Sequence, residues 1–280
     1  MRAAYALLAL LALHFLPAQP ALAQNERTTA EALMRESGLW TQLGPGLAAQ
    51  VRSGFAAAMA ESGARPSAAE RQRLDAAVDQ AFAPDRLRRS ALESLAARLD
   101  ARHVPALRAW YGGKTGAAIT RLEETTAAPG FDLNGALADG VRQLGVMQAA
   151  RRELLQDVVR VARMAESMTE ATLNIALAVQ SGVASMSPGQ PGPSAAQLRA
   201  EIDKQRPQLM QSFGGVALAL LAATYRGVPE ADLQQYRDFL ASPAGRHFND
   251  IGTEAMQAAM LQAAHEFGRA LPGTRDAARS

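Results

Sequence analysis

Apolar positions recur at helical spacing along almost the whole chain. Leu47, Val51, Phe55 and Met59 follow one another every four residues, as do Leu87, Ala91, Leu95 and Leu99. Residues four apart sit nearly above one another on an α-helix, so each set makes one slowly drifting stripe suited to burial. Leu133, Leu137, Val141 and Leu144 make a third stripe. Strand-like alternation never persists over several residues, and the spacing predicts an all-α fold.

Turn chemistry cuts these stripes into segments. Ser67-x-x-Glu70 after Pro66 is a capping box, in which the serine oxygen takes one orphan N–H and the glutamate another. Ser194-x-x-Gln197 after Pro193 repeats the device, and the proline- and glycine-rich run 187–193 ends one helix and links to the next. Pro84, Gly130 and Pro229 mark other junctions, and Gly44-Pro45-Gly46 should kink or restart the first long helix. The resulting helices are 29–60, 67–81, 85–101, 104–113 and 115–127 in a first half. In a second half they are 151–185, 194–207, 211–225, 230–241 and 243–268, with a connecting helix over 131–152 that either stops there or runs on.

The two halves look like divergent copies of one unit. Met34, Glu36 and Ser37 match Met164, Glu166 and Ser167 at an offset of 130. Pro66-Ser67-Ala68-Ala69 matches Pro193-Ser194-Ala195-Ala196 at 127, and Trp110, Gly116 and Ile119 fall on Phe239, Gly245 and Phe248 at 129. Unchanged order with small drift is the mark of duplication with loop insertions. The expected architecture is two divergent multi-helix repeats packed as a helical bundle or array. Residues 24–130 form the first, 131–150 a connecting helix and 151–280 the second.

Residues 1–23 read as a signal peptide. Arg2 precedes an apolar run from Ala3 to Leu16, then come Pro17, Pro20 and Ala21-Leu22-Ala23, whose small first and third side chains suit a signal peptidase. Such a run spans about 20 Å as a helix, short of the roughly 30 Å bilayer core, so it is an address to be removed and not an anchor. Cleavage is expected between Ala23 and Gln24, leaving a soluble bacterial protein in the periplasm or secreted. The longest later apolar stretch, Phe213 to Ala223, suits a core helix and not a membrane span.

Composition narrows the chemistry. The formal charge is +2 for the whole chain, and losing Arg2 with the leader lowers it to +1. Lys114 and Lys204 are the only lysines, and no dense basic cluster is interleaved with aromatics, so nucleic acid is not an expected partner. Cysteine is absent, which excludes disulfides, thiolate ligands and a cysteine nucleophile. The core alone must hold the fold, and about 257 residues suffice for one large or two small domains.

One segment carries a resemblance. Leu233-Gln-Gln-Tyr236-Arg-Asp-Phe239-Leu240-Ala-Ser242-Pro243-Ala-Gly245-Arg246 resembles the signature of an uncharacterised family of exported bacterial helical proteins with a domain of unknown function. That signature, here within 233–246, is a helix ending in an aromatic, then a Ser-Pro-x-Gly-basic turn opening a last amphipathic helix. Leu33-Met34-Arg-Glu-Ser37-Gly38-Leu39 is similar to the family's Met-x-x-Ser-Gly-Leu run. The two hallmarks stand in different halves, so each half departs from the full pattern. The resemblance implies an exported helical protein and no known activity, cofactor or catalytic residue. Independently of the family, Ser242 caps, Pro243 takes the first helical position, and Gly245 permits close helix approach.

Several motifs invite stronger readings. Gly112-Gly113-Lys114-Thr115-Gly116 has phosphate-loop composition, but Arg108 stands where a glycine is needed and no strand precedes it. It reads better as an interhelical corner aligned with 241–245, with an anion site near Thr115 as the lesser alternative. His103, His247 and His265 lack metal-ligand spacing and read as surface or helix-end residues. His247 and Asp250, three apart on a helix, are the best enzyme pair the chain offers. Adjacent Glu123 and Glu124 diverge by about 100 degrees and cannot face one another as acid and base. Met147, Met164, Met168, Met186, Met210, Met256 and Met260 read mainly as core filler, or as a soft apolar groove.

No catalytic, cofactor-binding or metal-binding residue and no cofactor is nominated. The expected function is a non-catalytic exported helical protein binding an envelope protein or serving a structural role there. Two alternatives stand beside it. One is a hydrolase whose residues, such as His103, His247, Asp250 and a buried carboxylate, converge from distant helices. The other is a carrier of lipid or an apolar small molecule, lined by Met256, Met260, Phe213 and Leu218.

Overall fold

The computed structural model describes residues 19–61, 67–172 and 195–270, and every regular element among them is helical. In chain order these are α1 (Gln19–Glu36), α2 (Leu39–Gln42), α3 (Pro45–Glu61), α4 (Ala68–Ala81), α5 (Pro84–Ala96), α6 (Val104–Tyr111) and α7 (Lys114–Thr126). They continue with α8 (Leu133–Val146), α9 (Ala149–Val161), α10 over 164–172, α11 (Ala195–Thr224), α12 (Glu230–Ala241) and α13 (Pro243–Ala270). Among the described residues no helix is long and apolar enough to cross a membrane.

Local chemistry sets many of the boundaries. Ser67 accepts from the Glu70 N–H while the Glu70 carboxylate takes the Ser67 N–H, completing the capping box that starts α4. The matching Ser194 lies outside the described residues. Gly44-Pro45-Gly46 restarts the chain, with α3 beginning at Pro45. α1 begins earlier than the apolar stripe suggests and passes through Ala21-Leu22-Ala23, because Pro20 falls in the first turn, where its missing donor costs nothing. The expected break between 207 and 211 is absent. α11 runs through Pro207, and the carbonyl this leaves without a helical donor belongs to exposed Asp203, where water can serve.

Two hydrophobic cores result. The first gathers Leu33 and Met34 of α1, Leu43, Val78 and Ala81 of α4, Leu87, Ala91 and Leu95 of α5, Leu107 of α6, and Phe248, Ile251, Ala255 and Ala259 of α13. The second gathers Ile119 of α7, Leu154, Leu155 and Val158 of α9, Leu221 and Ala222 of α11, Tyr225, and Leu233 and Leu240 of α12. Of the α5 stripe, Leu87, Ala91 and Leu95 are buried as their spacing requires, while the helix ends at Ala96 and Leu99 beyond it packs half-buried on the first core. Of the α3 stripe, Leu47 and Val51 pack on the first core, while the side chains of Phe55 and Met59 lie outside the description.

The α8 stripe is only partly buried, against the expectation from its spacing. Leu133 and Val141 are 44% and 63% exposed, and Gly140 faces α11 instead, so close that a Cβ there would stand 1.9 Å from the Ala219 carbonyl oxygen. α8 packs backbone to backbone on α11 through a glycine, which turns part of the expected apolar face to solvent. Its continuation into the next helix breaks at Met147 and Gln148, both extended.

The chain turns alike at two places. α1 ends where Ser37 N–H donates to the Leu33 carbonyl and Gly38 takes φ of 77°. α9 ends where Ala162 N–H donates to the Val158 carbonyl and Arg163 takes φ of 53°. Gln42 N–H then returns to Gly38, and Ser167 N–H to Arg163. The two left-handed positions are 125 apart, whereas the Met-x-Glu-Ser match has an offset of 130. Met34 precedes its left-handed residue and Met164 follows its own, so that match pairs residues on opposite sides of the turn.

Candidate functional site

The α6–α7 and α12–α13 corners are built from the same backbone. Gly113 has φ −75°, ψ 158° and Ser242 has φ −69°, ψ 159°. Gly113 N–H donates to the Trp110 carbonyl and Ser242 N–H to the Phe239 carbonyl, both at 3.0 Å. A Cβ on Gly116 would stand 2.1 Å from the Trp110 carbonyl oxygen, and one on Gly245 would stand 1.9 Å from that of Phe239. Both corners therefore require glycine three residues into the next helix. Ser242 also accepts from Gly245 N–H at 3.0 Å, as a cap should. The phosphate-loop composition at 112–116 is thus a helix corner.

Between these corners lies an aromatic stack. The Trp110 and Phe239 rings are 4.5 Å apart and within 7° of parallel, and Tyr236 stacks beyond Trp110 at 6.0 Å. Tyr111 meets Phe239 and Phe248 edge-on. Offset-parallel and edge-to-face rings are the arrangements that their quadrupoles favour.

A carboxylate closes this cluster. Glu123 Oε1, from α7, accepts from the Tyr225 hydroxyl at 2.5 Å and the Tyr236 hydroxyl at 2.7 Å. Tyr225 and Tyr236 thereby share one acceptor oxygen, and Tyr111 stands near enough to feel its charge. Burial raises the Glu123 carboxyl above its ordinary range, and the two hydroxyl donors offset only part of that. Burial first, then the Glu123 charge, raises all three phenols. The group ties α7 to α12 and to the residue that follows α11.

Glu124 points the other way, as the 100-degree step requires, and accepts from the Thr41 hydroxyl at 2.6 Å. The adjacent carboxylates therefore bind opposite halves. Thr115 lies 3.2 Å from Asp232 Oδ1 and from Gln235 Oε1, so this chain's own carboxylate occupies the helix start read as an alternative anion site.

The histidines are less dispersed than their spacing suggests. His103 and His247 stand ring to ring at 4.9 Å, and His247 Nε2 accepts from the Asp100 N–H at 3.1 Å. Accepting there places the proton of a neutral ring on Nδ1. Asp250 does not join His247 and pairs with Arg163 at 3.6 Å. His265 is exposed. The Asp100 carboxylate is held far below its usual range, chiefly by Arg102. The residues of the convergent-hydrolase reading thus divide: two histidines meet, while Asp250 and the buried Glu123 take other partners.

The methionines also divide. Met256 and Met260 pack on the first core and Leu218 on the second, along with Met147 and Met164. Met186 lies outside the described residues, and among those described no group of three His, Cys, Asp or Glu converges as a metal site.

Two roles carried no sequence signal. Arg151 donates to the carbonyls of Tyr225 and Val228, and Arg152 to those of Leu144 and Met147. Neighbouring arginines at the start of α9 thereby cap the ends of two other helices, where cations meet the negative pole of the dipole. An arginine pair is common in any helix, and only the tertiary arrangement reveals these acceptors. No protein-family model, curated protein or solved structure matches this chain.

Proposed function

We propose that this chain is an exported, non-catalytic helical protein that binds another protein of the cell envelope. One observation carries the reading: α8 holds Leu133, Val141 and Val146 in solvent, with Val146 84% exposed, while Gly140 fastens the helix to α11. Apolar side chains on a firmly seated helix favour a protein partner. The test compares the processed protein with a Val141→Asp, Val146→Asp variant in cross-linking from envelope extract. The same partner should be captured by the first and lost by the second, with the circular dichroism of both unchanged. Equal capture by both would remove α8 as the binding face.

Membership in the exported family of unknown function, and removal of residues 1–23, belong to the same proposal. The support is the leader sequence and the Phe239 to Arg246 corner. Intact mass of the exported chain should place its first residue at Gln24, and a retained leader would contradict this.

We further propose that the halves are two divergent copies of one helical unit. In support, the turns at Gly38 and Arg163 correspond at a separation of 125, and the corners at Gly113 and Ser242 at 129. An insertion of four residues in the second copy reconciles these separations.

A further inference from the structure

The corresponding residues Ile119 and Phe248 stand in different company. Ile119, on the helix after the first corner, is buried in the second core beside Leu154, Leu155 and Val158. Phe248, on the helix after the second corner, is buried in the first core, which also holds Leu87, Leu95 and Leu107. α13 packs chiefly along α5, and α7 touches α11 and α12. At the crossing, Trp110 and Phe239, themselves corresponding residues, stack on one another. Two equivalent elements meeting at equivalent points is the geometry of an approximate twofold axis.

We infer that each half is a receptor for the terminal helix of the other, so that the chain is an exchanged dimer of helical units joined by one linker. The inference rests on the reading of the halves as two copies. Its physical content is that neither half encloses a complete core. Without α13, the first half exposes the α5 face formed by Leu87, Ala91 and Leu95. Without α7, the second loses Ile119 and the acceptor for the Tyr225 and Tyr236 hydroxyls. The partner each surface fits is an amphipathic helix that begins at a tight glycine corner, and a second copy of the same unit supplies one.

The test begins with the full chain carrying a protease site after Gly130, in an exposed turn. After cutting, the two pieces should stay together as a 1:1 complex with the helix content of the uncut chain, and should recover that state together after dilution from urea. Separated, each piece should lose most of its helix signal or pair with itself. Either piece folding alone as a monomer with a cooperative transition would overturn the inference. So would a cut chain that fails to reassemble under conditions where the uncut chain refolds. Self-pairing of an isolated piece supports both the exchange and the duplication. Strict 1:1 pairing without self-pairing leaves the exchange standing and counts against the equivalence of the two units.

Discussion

Trp110 lies flat on Phe239, their centroids 4.5 Å apart, although 128 residues separate them in the chain. Each ring ends a helix whose last carbonyl region is crossed by a glycine of the next helix. The stack is therefore where both corners and both cores meet. Replacing Trp110 or Phe239 with alanine should cost about 3 kcal/mol of unfolding free energy in urea titration. The double variant should lose less than the sum of the two, by roughly 1 kcal/mol, because one contact is removed in both. Strict additivity would mean that the rings do not act as a pair.

Gly116→Ala and Gly245→Ala should each be destabilising by about 2 kcal/mol or more, since the new methyl meets a backbone carbonyl that cannot step aside. Gly252→Ala is the internal comparison. It lies in α13 with nothing within 4 Å of a Cβ, and should raise stability by up to about 1 kcal/mol through helix propensity. The sign difference is read directly from the three denaturation midpoints.

Arg163 and Gly38 turn the chain alike, but only one of them is glycine. Arg163 holds φ of 53°, and its ion pair with Asp250 is more than half exposed on both sides and worth little. Arg163→Gly should therefore gain about 1 kcal/mol. Gly38→Ala should lose at least as much, because φ is 77° and a Cβ would come within 3.1 Å of Thr120 and Glu124. Thermal unfolding of the two variants checks both signs.

The raised carboxyl of Glu123 ties stability to pH. An acid whose folded value exceeds its unfolded value of 4.5 contributes fully below 4.5, and that contribution is lost as pH rises through the folded value. Stability of the processed protein should thus decline above pH 4.5 by more than in a Glu123→Gln variant, which has no proton to lose. Tyr225 and Tyr236 act in the same direction at higher pH. Their contribution is lost as pH rises beyond their ordinary value of 10.0 toward the raised folded values. Urea midpoints measured from pH 4 to pH 11 with and without Glu123→Gln decide the point; parallel curves would contradict it.

What could be read beforehand was local. Ser67 with Glu70, and Ser242 with Pro243 and Gly245, act within one turn of backbone, so their spacing specifies their geometry. The match of Trp110, Gly116 and Ile119 to Phe239, Gly245 and Phe248 also located two corners of like backbone geometry. The Met34 match did not, because shared residue types in helices need not share a turn. The inner face of α8 departs from its stripe for a related reason. A stripe of Leu and Val outweighs one glycine in any hydrophobic pattern, yet Gly140 decides how near α11 can come. Glu123 with Tyr225, and His103 with His247, join residues over 100 positions apart, and periodicity carries no information on such pairs. The crossing of α7 and α13 was hidden because either partner core would bury the same apolar face.

Native-state hydrogen exchange on the uncut chain tests the interlocked arrangement most directly. If each terminal helix completes the other half's core, the amides around Ile119 and Phe248 open with one shared free energy, equal to that of global unfolding. Two separate opening energies, one for each core, would contradict it.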